Sequence, residues 1–171
     1  MDSLNIRRFK MEDWPKVWHI LEPVFKAGDT YTYPSEMNSS DAFERWITEP
    51  LRTFVAEDEN GKILGTYFLK ANQEGGGSHV CNCGYVTSVA ARGKGVASEM
   101  CVHSQVTAIE EGFKAMQYNF VVSTNEGAVR LWEKHGFEVV GTIPKAFDHP
   151  EKGYVDAHVM YKWLGKNSSP S

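Results

Sequence analysis

The residues best suited to chemistry lie in Arg92-Gly93-Lys94-Gly95-Val96-Ala97-Ser98, which follows the apolar, β-branched stretch Val86-Thr87-Ser88-Val89 and opens into a helical segment. Glycine reaches backbone conformations closed to other residues, so successive N–H groups can converge on one point, and a helix N-terminus there adds about half a positive charge. Such a loop binds phosphate, and a diphosphate-bearing cofactor is its natural ligand. Three carboxamides form a second set: Asn82, Asn119 and Asn125, the first two inside apolar runs. Asparagine disfavours strands and needs hydrogen-bond partners there, so two facing each other across a gap in a sheet would offer donors and acceptors to a substrate. The alternative is backbone bonding at a bulge.

Two other phosphate loops are excluded. Gly93-Lys94 is followed by Gly95 rather than Ser or Thr, so the Mg²⁺-binding hydroxyl of a Walker A loop is missing. The dinucleotide pattern G-x-G-x-x-G fails at Ser98, and the loop lies mid-chain rather than in a first βαβ unit.

The elements that must position these residues follow from periodicity. A strand near Asn5 to Phe9 precedes a helix capped by Asp13, with Pro15 in its first turn, the stripe Trp14, Val17, Trp18, Leu21, Val24 and Phe25 on its inner face, and Gly28 at its end. Tyr31 and Tyr33 sit in the following loop, where they can wall a pocket with Met37. Ser39 or Ser40 is expected to cap a short helix stopped by Pro50. Thr53 to Glu57 and Ile63 to Lys70 read as an antiparallel hairpin. After the glycine-rich 74–78 loop, a strand runs from His79 to Val89 with Gly84 as a candidate bulge. The phosphate loop follows, then a helix from Gly95 to Glu111, a strand from Ala115 to Val122, a helix from Asn125 to Lys134, and strands over Phe137–Ile143 and Tyr154–Trp163. The stretch Pro144 to Gly153 is expected to be a loop beside the acceptor side, either a lid or plainly solvated, and Asp156 either orients a partner or makes a structural pair.

A chain of 171 residues with 42% hydrophobic content suits one domain, here 1–164, with a disordered tail over 165–171. The N-terminus lacks a signal-peptide core and no apolar run approaches a membrane span, so no membrane partner and a cytoplasmic location are expected. Cys81, Cys83 and Cys101 lack metal-ligand spacing and are expected to be reduced thiols; no metal is expected. A net charge of −4 leaves no nucleic-acid footprint.

The order of elements, together with Arg92-Gly93-Lys94-Gly95-Val96-Ala97 and with Asn125, Ala128, Leu131, Trp132 and Gly136-Phe137, resembles the GNAT superfamily of acyl-CoA N-acyltransferases. The first motif is similar to that family's Q/R-x-x-G-x-G/A and the second to its N-x-x-A-x-x-L-Y-x-x-x-G-F. The resemblance implies an α/β (α+β) GNAT fold: a mixed, mostly antiparallel sheet of about seven strands, splayed between the fourth and fifth, with about four helices. It also implies acetyl-CoA as acyl donor. Amides of Arg92, Gly93, Lys94, Gly95, Val96, Ala97 and Ser98 would hold the pyrophosphate, while Tyr85, Val86 and Thr87 would pair with the pantetheine arm. Asn125 would contact the cofactor, although asparagine before a helix is also an ordinary N-cap.

The implied chemistry is direct transfer: an amine attacks the thioester carbonyl, a backbone N–H near Thr87 stabilises the oxyanion, and CoA thiolate leaves. Trp132 stands where many members carry a tyrosine acid, and Phe120 where some carry a glutamate base. Leaving a thiol of pKa about 8.5 unprotonated at neutral pH costs roughly 2 kcal/mol; deprotonating a lysine ammonium costs about 4 to 5, an α-amine about 1. A site without an obvious buried carboxylate therefore suits low-pKa amines, with His79, Tyr85 or Tyr154 available for water-relayed transfer.

The stretches His79 to Tyr85 and Phe120 to Asn125 resemble those of fungal azetidine-2-carboxylate acetyltransferases of the same family. That resemblance implies a small, carboxylate-bearing amine or imino acid held by Asn82 and Asn119; it does not fix the substrate, because pocket walls such as Tyr31, Tyr33 and Phe147 decide shape. A protein N-terminal acetyltransferase and a noncatalytic acyl-CoA sensor are the competing readings, and a homodimer is open.

Overall fold

Strands form where apolar residues alternate or run between turn residues. In a computed structural model describing residues 3–165, these are β1 (Asn5–Arg8), β2 (Arg52–Glu57), β3 (Ile63–Ala71), β4 (Val80–Thr87), β5 (Ala115–Val122), β6 (Glu138–His149) and β7 (Gly153–Trp163). They make one seven-stranded sheet in the order β1-β2-β3-β4-β5-β7-β6. Every neighbouring pair is antiparallel except β4 and β5. With helices α1 (Trp14–Ala27), α2 (Ser39–Phe43), α3 (Val96–Glu110) and α4 (Glu126–Lys134), this is the expected mixed fold. The expected tail falls outside the described residues except for Gly165.

Alternation along β4 separates two cores, one on each face of the sheet. Val86 joins Val17, Leu21, Val24, Phe25, Trp46 and Phe68 beneath α1 and α2. Cys81 and Cys83 join Met100, Met116, Tyr118, Trp132 and Met160 beneath α3 and α4. Each fully buried aliphatic or aromatic side chain of this kind contributes roughly 1.5–3 kcal/mol. In α1 the buried residues Val17, Ile20, Leu21, Val24 and Phe25 recur at helical spacing, and Gly28 ends the helix at φ +64.

Several local expectations are corrected. Asp13 does not cap α1; its carboxylate accepts two hydrogen bonds from Arg7, at 2.8 and 2.9 Å, and one from the Lys10 N–H at 2.8 Å. Asn38, rather than Ser39 or Ser40, caps α2 by accepting from the Asp41 N–H at 2.8 Å. The stretch 144–153 is no loop: β6 continues to His149 and turns back into β7, and Asp156 accepts from the Lys145 N–H at 3.0 Å where β6 bulges. Gly84 is not a bulge either, since it sits in continuous register opposite Phe68. A Cβ at Gly84 would collide with the Phe68 ring, so close packing rather than a kink explains the glycine.

Candidate active site at the open side of β4

Parallel β4 and β5 pair only at Val80–Ala115 and Cys81–Met116. Beyond Cys81 the two strands part. On the other side of β4, the Ser88 N–H donates to the Leu64 carbonyl and the Asn72 N–H to the Val80 carbonyl, both at 2.8 Å. The register between β3 and β4 is unbroken from Gly65–Thr87 to Ala71–Cys81, so alternate pairing directs the N–H and C=O of Val86, Gly84 and Asn82 to β3. Those of Cys83, Tyr85 and Thr87 point into the gap. A row of exposed backbone groups thus faces a cleft of about 610 Å³, and Tyr85, Val86, Thr87, Arg92 and Asn125 all line it.

The phosphate loop lies at the open end. Gly93 and Gly95 adopt φ +76 and +81, and the Glu99 N–H donating to the Gly95 carbonyl at 3.1 Å is the first bond of α3. The amides of Val96, Ala97 and Ser98 precede it and have no intrahelical partner, which makes an anion cradle. The Val96 side chain is buried, Arg92 and Lys94 are exposed, and the Ser98 hydroxyl is tied to His135 Nε2 at 2.7 Å. Asn125 occupies the N-cap position of α4, yet its side chain makes no cap hydrogen bond and remains available to the cleft.

At the closed end both predicted asparagines line the cleft without binding each other. Asn82 Nδ2 donates to the Gln117 carbonyl at 2.9 Å, replacing the next rung of the ladder where the strands separate. Asn119 donates to Asn72 Oδ1 at 2.6 Å and accepts from Gln117 Nε2 at 3.0 Å. The register of β5 against β7 shifts between Tyr118 and Val121, so Asn119 and Phe120 form the bulge that Gly84 was expected to supply, on the opposite strand.

Tyr31 and Tyr33 line the cleft as expected, stacked at 5.6 Å, and the Tyr31 hydroxyl donates to the Tyr85 carbonyl at 2.9 Å. Phe147 does not reach it; this buried ring packs behind Phe120 at 6.1 Å. Tyr154 is 70% exposed and neither it nor His79 lines the cleft. Tyr85 does, and its hydroxyl meets Ser104 Oγ at 2.6 Å and the Tyr118 hydroxyl at 3.0 Å beneath Trp132. Burial pushes both phenols well above their ordinary pKa, so they stay protonated. The three thiols are free and buried, with Cys83 and Cys101 pushed up by desolvation and inert as nucleophiles.

Two charged lining residues, Asp29 and Lys70, were missed from sequence, whereas Arg92 was expected there. Among the described residues Asp29 is the one carboxylate lining this cleft, and Lys70 and Arg92 are its cations. Lys70, one residue before the end of β3, is in register with Asn82, a pairing that only the β3–β4 alignment makes visible.

A sheet opened beside its parallel pair, with an anion-binding helix start at the mouth, is the architecture of acyl-CoA-dependent N-acyltransferases. The chain belongs to the acetyltransferase (GNAT) family, whose description matches residues 14–137 and whose acyl donor is acetyl-CoA. It is 35% identical over 103 residues to N-acetyltransferase aca1 of Schizosaccharomyces pombe, a match spanning 60% of this chain and 49% of that protein. The chain thus covers about half the length of this curated relative. A GCN5-related N-acetyltransferase from Kribbella flavida superposes with a TM-score of 0.90 at 40% identity, covering 94% of this chain and 98% of the other. A phosphinothricin acetyltransferase from Sinorhizobium meliloti, solved with acetyl-CoA, shares the fold at 18% identity and a TM-score of 0.84, over 99% and 92% of the two chains.

Proposed function

We propose that this protein transfers acetyl from acetyl-CoA to a small-molecule amine, an amino or imino acid being the favoured class. The observation that carries the reading is the unpaired side of β4, running from Cys83 to Thr87 and ending at the glycine loop. Pantetheine amides pair with such a strand as another strand would, and the pyrophosphate caps α3. The acetyl carbonyl then lies against the gap-facing backbone N–H groups of Cys83, Tyr85 and Thr87, which are the proposed oxyanion donors. Asn82 and Asn119 shape the acceptor end beyond it.

Loop 28–37 supports a small acceptor over a peptide. Tyr31 and Tyr33 line that side of the cleft, and the bond from Tyr31 to the Tyr85 carbonyl fixes these rings as walls that favour a compact acceptor. Trp132 offers no exchangeable acid, and the loss of about 2 kcal/mol is compatible with turnover. The same reading places the protein in the cytoplasm. A thiol-release assay with acetyl-CoA against amino acids, imino acids, simple amines and N-terminal peptides, with products identified by mass spectrometry, tests it. Turnover of small amines in preference to peptides is expected; acetyl-CoA binding with no turnover of any amine would leave a noncatalytic acyl-CoA sensor.

A further inference from the structure

We infer that Lys70 anchors the carboxylate of the acceptor, making this site selective for amines that carry an acid group. The inference rests on the proposed acetyl transfer to a small amine and names the group that selects it. Lys70 is half-buried one residue before the end of β3, and its ammonium lies 5.5 Å from the centroid of the Phe68 ring. That ring covers Gly84, where any larger residue would displace it. The cation is therefore held against the cleft wall by an aromatic face.

Position along β4 fixes which end of the cleft it serves. Lys70 is in register with Asn82, and residues facing each other across two strands share a face of the sheet. Asn82 directly precedes Cys83, the gap-facing residue farthest from the phosphate loop, so Lys70 stands at the acceptor end, beyond the tip of a pantetheine arm laid along Thr87 and Tyr85. Arg92 stands at the donor end, so the two lining cations serve different ligands.

Among the described residues no carboxylate lies within 4 Å of Lys70 Nζ. A half-buried ammonium beside an aromatic ring has lost part of its hydration without gaining an anion, and a ligand carboxylate restores that balance. The asparagines do not do so alone. Asn82 has already committed its Nδ2 to Gln117, and Asn119 bonds Asn72 and Gln117. Asp29, which also lines the cleft, is an opposite charge available to an acceptor ammonium. An acid held by its carboxylate at Lys70 presents its amine toward the thioester.

The test compares matched acceptors, L-proline against L-prolinamide and L-methionine against L-methioninamide, with the wild type, Lys70→Met and Lys70→Arg. Lys70→Met should lower kcat/KM for each acid at least tenfold while changing the matched amide less than twofold. Lys70→Arg should recover most of the loss, and acetyl-CoA affinity should stay within twofold throughout. An equal loss for acid and amide, or no loss for either, overturns the assignment. So does a wild type that favours every amide over its acid, a comparison that needs no variant to fold. Failure of the parent reading looks different: no acid or amide is acetylated by any form of the protein.

Discussion

The Tyr31 hydroxyl donates to the Tyr85 carbonyl across the open side of β4 at 2.9 Å, linking the loop after α1 to a backbone group that no neighbouring strand satisfies. Burial raises the Tyr31 phenol pKa far above its usual value, so the donor is present at all working pH values. Because a carbonyl has two lone pairs, the cofactor can share Tyr85 with Tyr31. Tyr31→Phe is expected to loosen the acceptor side and raise the acceptor KM about fivefold, matching the roughly 1 kcal/mol of a neutral hydrogen bond. Acetyl-CoA should bind no more weakly; calorimetry beside steady-state kinetics checks both.

Gly95 begins α3 at φ +81, a conformation in which a β-branched residue is strained. Gly95→Val is expected to cost about 1–3 kcal/mol of stability and to weaken acetyl-CoA at least tenfold, because the added side chain also crowds the pyrophosphate. Thermal melting with and without acetyl-CoA separates the two effects. An unchanged ligand-induced rise in Tm would rule out the cradle.

The two asparagines are expected to behave differently when truncated. Asn82→Ala removes the bond to the Gln117 carbonyl at the point where the strands part, which should lower stability by about 1 kcal/mol as well as raising the acceptor KM. Asn119 is exposed, so Asn119→Ala should leave Tm nearly unchanged and act on acceptor kinetics alone. In both, acetyl-CoA affinity should remain within twofold. Lost cofactor binding in either variant would move these residues to the donor side.

Arg7 bridges Asp13 and Glu57, with contacts of 2.8 and 3.0 Å. Its hydrogen bonds hold the Asp13 and Glu57 carboxyls below the usual carboxylate range. With native pKa values below the unfolded ones of about 3.9 and 4.3, this contribution is complete above the unfolded values and is lost as pH falls through the native ones. Tm should therefore hold from pH 7 to about 5 and drop below about 4. Asp13→Asn should cost about 1–2 kcal/mol at pH 7 and flatten that drop, since Asp13 is buried while Arg7 keeps some solvent.

Much of this architecture is legible in the chain because local signals agree. The glycines at 93 and 95, the stripe of α1 and the full extent of β5 all follow from short-range preferences, and β5 appears at its expected bounds, Ala115–Val122. What escapes is set by residues distant in sequence. Gly84 is small because Phe68 packs over it, and the bulge falls at Asn119 and Phe120 through pairing with β7. Asp13 turns from α1 because Arg7 offers a stronger partner than the helix amides. The span 144–153 carries a proline and mixed charges that read as a turn, yet the β6–β7 ladder draws all but its tip into strands. Lys70 carries no local mark of function, and only strand register sets it beside Asn82.

Among the described residues, two strand pairs, Val80–Ala115 and Cys81–Met116, make up the ladder between the β1–β4 half of the sheet and the β5–β7 half, with the His79 carbonyl accepting from the Lys114 and Ala115 N–H groups at its start. The backbone amides of Cys83, Tyr85 and Thr87 are consequently sentinels of occupancy. They are expected to exchange with deuterium quickly in the empty protein and slowly once acetyl-CoA pairs along β4, so their protection would read out cofactor loading without any acceptor or turnover.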